Sequence, residues 1–215
     1  MRRRKTIPIF LFLAMLLATF AIACFSDSDP EYLYRRGLRE HRKYHYRDAI
    51  KSFDKAIALD NNHVDAFYAR SLSNKEVGLY GDALNDANRV IELDPNYEDI
   101  YNNRGSIYSE LAIYDRAIAD LDRAIAIDPK NKNAYYNRGL TYKKMELYDE
   151  AISNFTMVIT LDSKDAYTYY LRGYTNYKLD RWKNAERDMR AACSLGYKGA
   201  CSSLEWVIKE KNKEK

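Results

Sequence analysis

The sequence predicts an all-α fold, a solenoid of stacked antiparallel helix pairs, and three observations carry that reading. Residues 99–129, DIYNNRGSIYSELAIYDRAIADLDRAIAIDP, align without a gap to residues 133–163, NAYYNRGLTYKKMELYDEAISNFTMVITLDS, 34 positions further on. Self-similarity at such a period marks a repeat architecture. A small residue recurs as Gly37, Gly105, Gly139 and Gly173, with Ser71 standing in once, and twelve positions after each comes Ala49, Ala83, Ala117, Ala151 or Ala185. Asp60, Asp94, Asp128 and Asp162 then close the second helix of the first four copies, with Pro95 and Pro129 following two of them.

In chain order, Arg2, Arg3, Arg4 and Lys5 precede an almost wholly apolar run over residues 7–22. A basic n-region, an apolar h-region and a small-residue cleavage site make a secretory signal peptide, here residues 1–23. Ala21-Ile22-Ala23 fits a general signal-peptidase site, and with Cys24 following it also resembles the bacterial lipobox. That resemblance implies a lipidated Cys24 (palmitate among its chains) at the mature N-terminus, although Ala21 stands where the lipobox generally has leucine. The expectation is therefore a membrane-anchored lipoprotein of the cell envelope, facing the periplasm or the exterior. A soluble secreted or periplasmic protein and an uncleaved membrane anchor stay open as alternatives. Residues 24–29 form a short tether. The net charge of +4 equals the four basic residues of the leader, so the mature chain carries 31 basic and 31 acidic residues. Nucleic-acid binders show a clustered basic footprint; this balance argues against that class.

Five copies follow, at residues 30–63, 64–97, 98–131, 132–165 and 166–197. Nine positions after each small slot stands a ring (Tyr46, Tyr80, Tyr114, Tyr148, Trp182), and four after each alanine a large apolar residue (Phe53, Leu121, Phe155, Met189), Ala87 being the small exception. Small residues let two helices cross closely while large ones fill the space beside them to near-crystalline density. This pattern resembles the tetratricopeptide repeat, a 34-residue helix–turn–helix. The resemblance implies a right-handed superhelix of five helix pairs, with Ser71, Ala87, Asn61, Ser163 and Tyr197 as departures. Residues 198–215 read as a capping helix and charged tail, Ala200, Leu204, Val207 and Ile208 giving the cap an apolar stripe at helical spacing.

An arginine precedes each small slot: Arg36, Arg70, Arg104, Arg138 and Arg172. Sixteen positions later lie Ser52, Asp86, Asp120, Asn154 and Asp188, each able to accept from it. The ladder is read as pairing within repeats rather than as an anion site, since guanidinium suits a bidentate carboxylate.

The family resemblance implies a partner-binding groove on the concave face, lined by first helices. The corresponding positions hold Tyr34, Tyr68, Asn102, Tyr136 and Tyr170; then Asn103 and Asn137; then Leu140 and Tyr174, with His41, Lys75, Ser109, Lys143 and Tyr177 further along. Tyrosine combines large contact area with a polar tip and is enriched at interfaces. Replacing Tyr136 and Asn137 together is expected to abolish capture while leaving folding intact. Family members that clamp a chaperone's C-terminal carboxylate set basic residues beside such asparagines; here Tyr68, Leu72 and Asn133 occupy those places. Cys193 and Cys201, flanking the turn into the cap, resemble the cysteine-bridged pairs of Sel1-like repeats, which implies a disulfide.

No catalytic set is legible. His41 and His45 sit four apart but without a zincin glutamate between them or an evident third ligand. Neither a metal nor another cofactor is expected. The chain reads as a non-enzymatic adaptor or scaffold that binds a peptide or helix of a protein partner, in roles such as secretion or pilus assembly or cell-wall enzyme recruitment. A self-assembling homo-oligomeric scaffold is the alternative.

Overall fold

The computed structural model describes residues 28–97 and 99–213. The leader over residues 1–23, the lipidation site Cys24, residues 25–27 of the tether and the last two residues of the tail lie outside them. The described residues form eleven helices and no strand, an all-α repeat fold of the solenoid class. None of these helices is long and apolar enough to cross a membrane.

Two compact units divide at Pro95/Asn96. The first holds α1 (Pro30–Arg42), α2 (Tyr46–Leu59), α3 (Val64–Glu76) and α4 (Tyr80–Leu93). The second holds α5 (Ile100–Glu110), α6 (Tyr114–Ile127), α7 (Lys132–Lys144), α8 (Tyr148–Leu161), α9 (Ala166–Lys178), α10 (Trp182–Ser194) and α11 (Lys198–Lys213). Within each unit every helix packs on the next in sequence.

Local chemistry sets the helix ends. Asp29 caps α1 by accepting from the Glu31 N–H at 3.0 Å, ahead of Pro30 at the first helical position. Asn131 and Asp165 cap α7 and α9 by accepting from the Ala134 and Thr168 N–H groups, each at 3.0 Å. Between copies, the aspartates that end the second helices turn the chain. The carboxylates of Asp60, Asp128 and Asp162 accept from the N–H two residues on, at 3.0, 2.9 and 3.1 Å.

Within copies a different turn operates. Ala112 adopts φ 57°; its N–H donates to the Ser109 carbonyl at 3.2 Å and the Ile113 N–H donates to the Tyr108 carbonyl at 2.9 Å. This is the Schellman arrangement of a left-handed helix C-terminus. It recurs at Tyr44, Gly78, Glu146 and Asp180, and again at Gly196 before α11. Two of these six residues are glycine. The others hold a conformation that costs a side chain about 1–2 kcal/mol.

The pairs cross where sequence spacing places the small residues. A Cβ added to Gly105 would lie 2.8 Å from Leu121 Cγ and 3.1 Å from the Ala117 carbonyl oxygen. One added to Gly139 would lie 2.8 Å from the Phe155 ring. The second copy exchanges the two volumes. Ser71 fills the glycine position and donates its hydroxyl to the Ala83 carbonyl at 2.8 Å, while Ala87 stands where other copies carry Phe, Leu or Met.

At the C-terminus, Ala200 and Val207 of α11 are buried against Ala185, Met189 and Ala192 of α10, with Leu204 partly buried beside them. A disulfide joins Cys193 to Cys201, their Cα atoms 4.9 Å apart. Closing so short a loop contributes about 2–3 kcal/mol in the chain-entropy account.

The crossing and the turn each lead to a measurable expectation. Gly105→Ser should destabilise by about 1–3 kcal/mol, and adding Leu121→Ala should recover part of that loss rather than add to it. Urea unfolding of the four species measures the coupling; strict additivity would refute the volume exchange. Ala112→Gly should raise stability by about 0.5–1 kcal/mol, read as a higher melting temperature, and Gly78→Ala should lower it.

Candidate partner-binding surface

The arginine row is spent on structure. Arg104 donates from Nε and Nη2 to both oxygens of Asp120, at 2.7 and 2.8 Å. Arg70 and Arg172 grip Asp86 and Asp188 the same way, and Arg138 donates from Nε to Asn154 Oδ1 at 2.8 Å. The guanidinium groups of Arg70, Arg138 and Arg172 also lie over the ring three positions earlier, 5.5 Å from the centroids of Phe67, Tyr135 and Tyr169. Sequence spacing missed a second contact. Nη1 of Arg70, Arg138 and Arg172 reaches back sixteen positions to Asp54, Asp122 and Thr156 on the preceding second helix. These arginines brace one copy against the last. In the first copy Ser52 donates instead to the Asp48 carbonyl at 3.1 Å, and Arg36 lies in a shallow depression beside it.

Burial sorts the expected groove residues. Asn103 is only 2% exposed, which corrects its assignment to an accessible wall. The row two positions before the small slot packs onto the previous pair: Ala69 meets Ala49 and Phe53, and Leu171 meets Ala151 and Phe155. Ser109 is buried as well, accepting from Thr141 Oγ1 at 3.0 Å. In the first unit Tyr34 is half-buried, its ring 6.1 Å from Phe53 and 5.0 Å from His63, and burial raises its phenol pKa; Tyr68 is half-buried too. In the second unit Asn137 donates to Asn102 Oδ1 at 2.8 Å, tying α7 to α5. Tyr136 rests on Phe155 with Leu140 beside it, and burial pushes its phenol up to about 12. Replacing Tyr136 and Asn137 would therefore remove packing and an inter-helix hydrogen bond, so the expected stability-neutral double replacement does not hold.

Tyr170 and Tyr174 are different, because they open into a cleft of about 290 Å³. Tyr177 of α9 and Met189 of α10 extend its walls, and α11 closes it with Ser202, Ser203, Trp206 and Val207. The aromatic rings touch in series: Tyr170–Tyr174 at 6.4 Å, Tyr174–Tyr177 at 5.9 Å, and Tyr177–Trp206 edge-on at 4.6 Å. Trp206 remains 42% exposed. Two ammonium groups, Lys143 and Lys178, lie over the ring of the cleft residue Tyr174, each 5.6 Å from its centroid. Lys143 is half-buried and its pKa is lowered by burial. Trp206 lies off the apolar stripe of the cap, and a tryptophan exposed beside a buried stripe was the one sequence signal for this wall.

Metal chemistry finds no cluster. Among the described residues no group of three or more His, Cys, Asp or Glu converges. His41 bonds Ser73 at 2.8 Å, His45 meets Glu40 at 3.0 Å and His63 approaches Glu31 at 3.7 Å, each apart from the others.

Repeated helix pairs crossing through a small slot, braced by an arginine ladder, define a helical-repeat protein of the solenoid class. Three family models match, a TPR repeat at residues 114–146 and tetratricopeptide repeats at residues 133–165 and 87–119. Residues 87–165 thus carry tetratricopeptide repeats. Solved structures share its fold. MamA of Desulfovibrio magneticus RS-1 is 23% identical over 78% of this chain and 95% of its own, with a TM-score of 0.69. TTC0263, a thermophilic TPR protein of Thermus thermophilus, is 17% identical over 83% and 98%, at 0.68. YrrB, described as a TPR protein with an unusual peptide-binding site, is 19% identical over 83% and 93%, at 0.64. No curated protein matches the sequence.

The ladder yields a contrast. The Asp188 side chain is 1% exposed, and Asp188→Ala should cost about 3–5 kcal/mol by stranding Arg172. Asp149→Ala, which removes an exposed partner of Arg181, should leave the urea midpoint unchanged. Equal effects would mean that the ladder carries no special stability.

Proposed function

We propose that this protein is a non-enzymatic adaptor that captures a peptide or helical segment of a partner protein on the surface carried by its first helices. The open aromatic cleft at Tyr170 and Tyr174 is the observation that carries this reading. A well-formed apolar pocket with few convergent polar groups is the default binding site of a protein without a catalytic cluster. The tetratricopeptide fold supports interaction with protein, and the peptide-binding site ascribed to YrrB is a precedent on the same fold.

The adaptor is held at the cell envelope by acyl chains on Cys24. Each buried CH₂ adds about 0.8 kcal/mol, so two or more chains anchor durably. The tether is short, which keeps the repeats close to the membrane surface. Assembly of secretion or pilus machinery and recruitment of cell-wall enzymes are roles suited to that position.

Photo-crosslinking in intact cells tests both parts. A crosslinker at Ser202, on the cleft, should capture a distinct protein, whereas one at exposed Lys183 on α10 should not. Cys24→Ser should move the protein out of the membrane fraction. Capture of a second copy alone from Ser202 would replace the adaptor by a self-assembling scaffold. Unchanged membrane association would remove the lipid anchor.

A further inference from the structure

The cleft between α9, α10 and α11 has a size and a charge that narrow what can occupy it. At about 290 Å³ it lies at the bottom of the roughly 300–1,000 Å³ range of small-molecule sites. That is room for one large side chain rather than a whole ligand. Its walls are the faces and edges of Tyr170, Tyr174, Tyr177 and Trp206, with Met189 and Val207 beneath. Rings favour edge-to-face contacts with another ring, and an exposed Trp beside a serine rim is the composition of an interface anchor pocket.

No carboxylate lines the cleft. Lys143 and Lys178 instead present their ammonium groups over Tyr174, and neither forms an ion pair among the described residues. Their neighbours on the chain behave otherwise: Lys144 pairs with Glu110 at 3.0 Å and Lys132 with Asp162 at 2.7 Å. On α11, Glu210 stands one turn past Trp206, while the two lysines over Tyr174 come from α7 and α9. Burial already disfavours the charge on Lys143, and an incoming anion would relieve that penalty.

We infer that the cleft receives an aromatic or large aliphatic side chain from an acidic segment of the partner, whose flanking carboxylates meet Lys143 and Lys178. This rests on the peptide-capture reading above and gives that surface a specificity. The ring supplies buried area and the carboxylates supply selectivity and salt dependence. A basic segment with the same ring would bring its own cations against the two lysines.

Three fluorescein-labelled peptides test it against the purified mature chain: one central Phe flanked by Asp, the same Phe flanked by Lys, and the Asp peptide with Ala replacing Phe. The Asp-flanked Phe peptide should bind at least about tenfold more tightly than either control, a difference of about 1.4 kcal/mol. Its affinity should fall as salt rises and its binding should change the Trp206 emission. Lys143→Gln with Lys178→Gln should weaken it about tenfold, and Ser202→Trp, which plugs the cleft from an exposed helix position, should abolish it. Equal binding of all three peptides, or indifference to both variants, overturns the inference. If none of the peptides binds while the Ser202 crosslinker still captures a partner in cells, the acidic-anchor assignment falls and the adaptor reading stands. If capture fails as well, both fall.

Discussion

Four of the five copies of this protein are organised by the absence of a Cβ. At Gly105 and Gly139 the facing helix comes so near that a methyl group would overlap Leu121 or Phe155. That approach brings the preceding arginine within hydrogen-bond reach of the side chain beside the crossing, Asp120 for Arg104 and Asn154 for Arg138. The second copy shows that the constraint is on summed volume, since Ser71 is admitted where Ala87 withdraws.

The cleft follows from how the last helix is entered. Within each unit, successive copies are joined through aspartate turns, which lead the chain into the next first helix. Helix α11 is reached instead through a left-handed turn at Gly196, the kind used inside a pair, with a disulfide across it. It covers the apolar side of α10 and only partly covers the tyrosines of α9, leaving the cleft between them. In α7 the corresponding Tyr136 is half-buried against Phe155; in α9 Tyr170 and Tyr174 are half-buried as well, and they line the cleft.

The architecture was legible because repetition makes one pattern visible five times, and small slots spaced twelve apart have few explanations other than a close helix crossing. The ladder was half legible. A spacing of sixteen forward suggests Asp120 for Arg104, but the backward reach of Arg138 to Asp122 depends on how consecutive copies stack, which no single copy encodes. The turns were hidden, because Tyr44, Ala112, Glu146 and Asp180 occupy a conformation that composition assigns to glycine. Groove residues were the least legible. Asn103 and Tyr136 stand at first-helix positions that the repeat spacing assigns to the groove, and only the depth of packing separates a wall from a filler. Trp206 escaped because the cap was read for its buried stripe alone.

The backward reach of the arginines also bears on how such a chain can change length. Excision of residues 132–165 would bring Arg172 against the copy that ends before them, where its outer Nη1 would find Asp122 in place of Thr156. An acceptor waits at either junction, so a whole module can be lost without leaving a guanidinium orphaned. Genetic drift in copy number is thereby buffered at the seam between modules, while drift in the spacing inside a module is not.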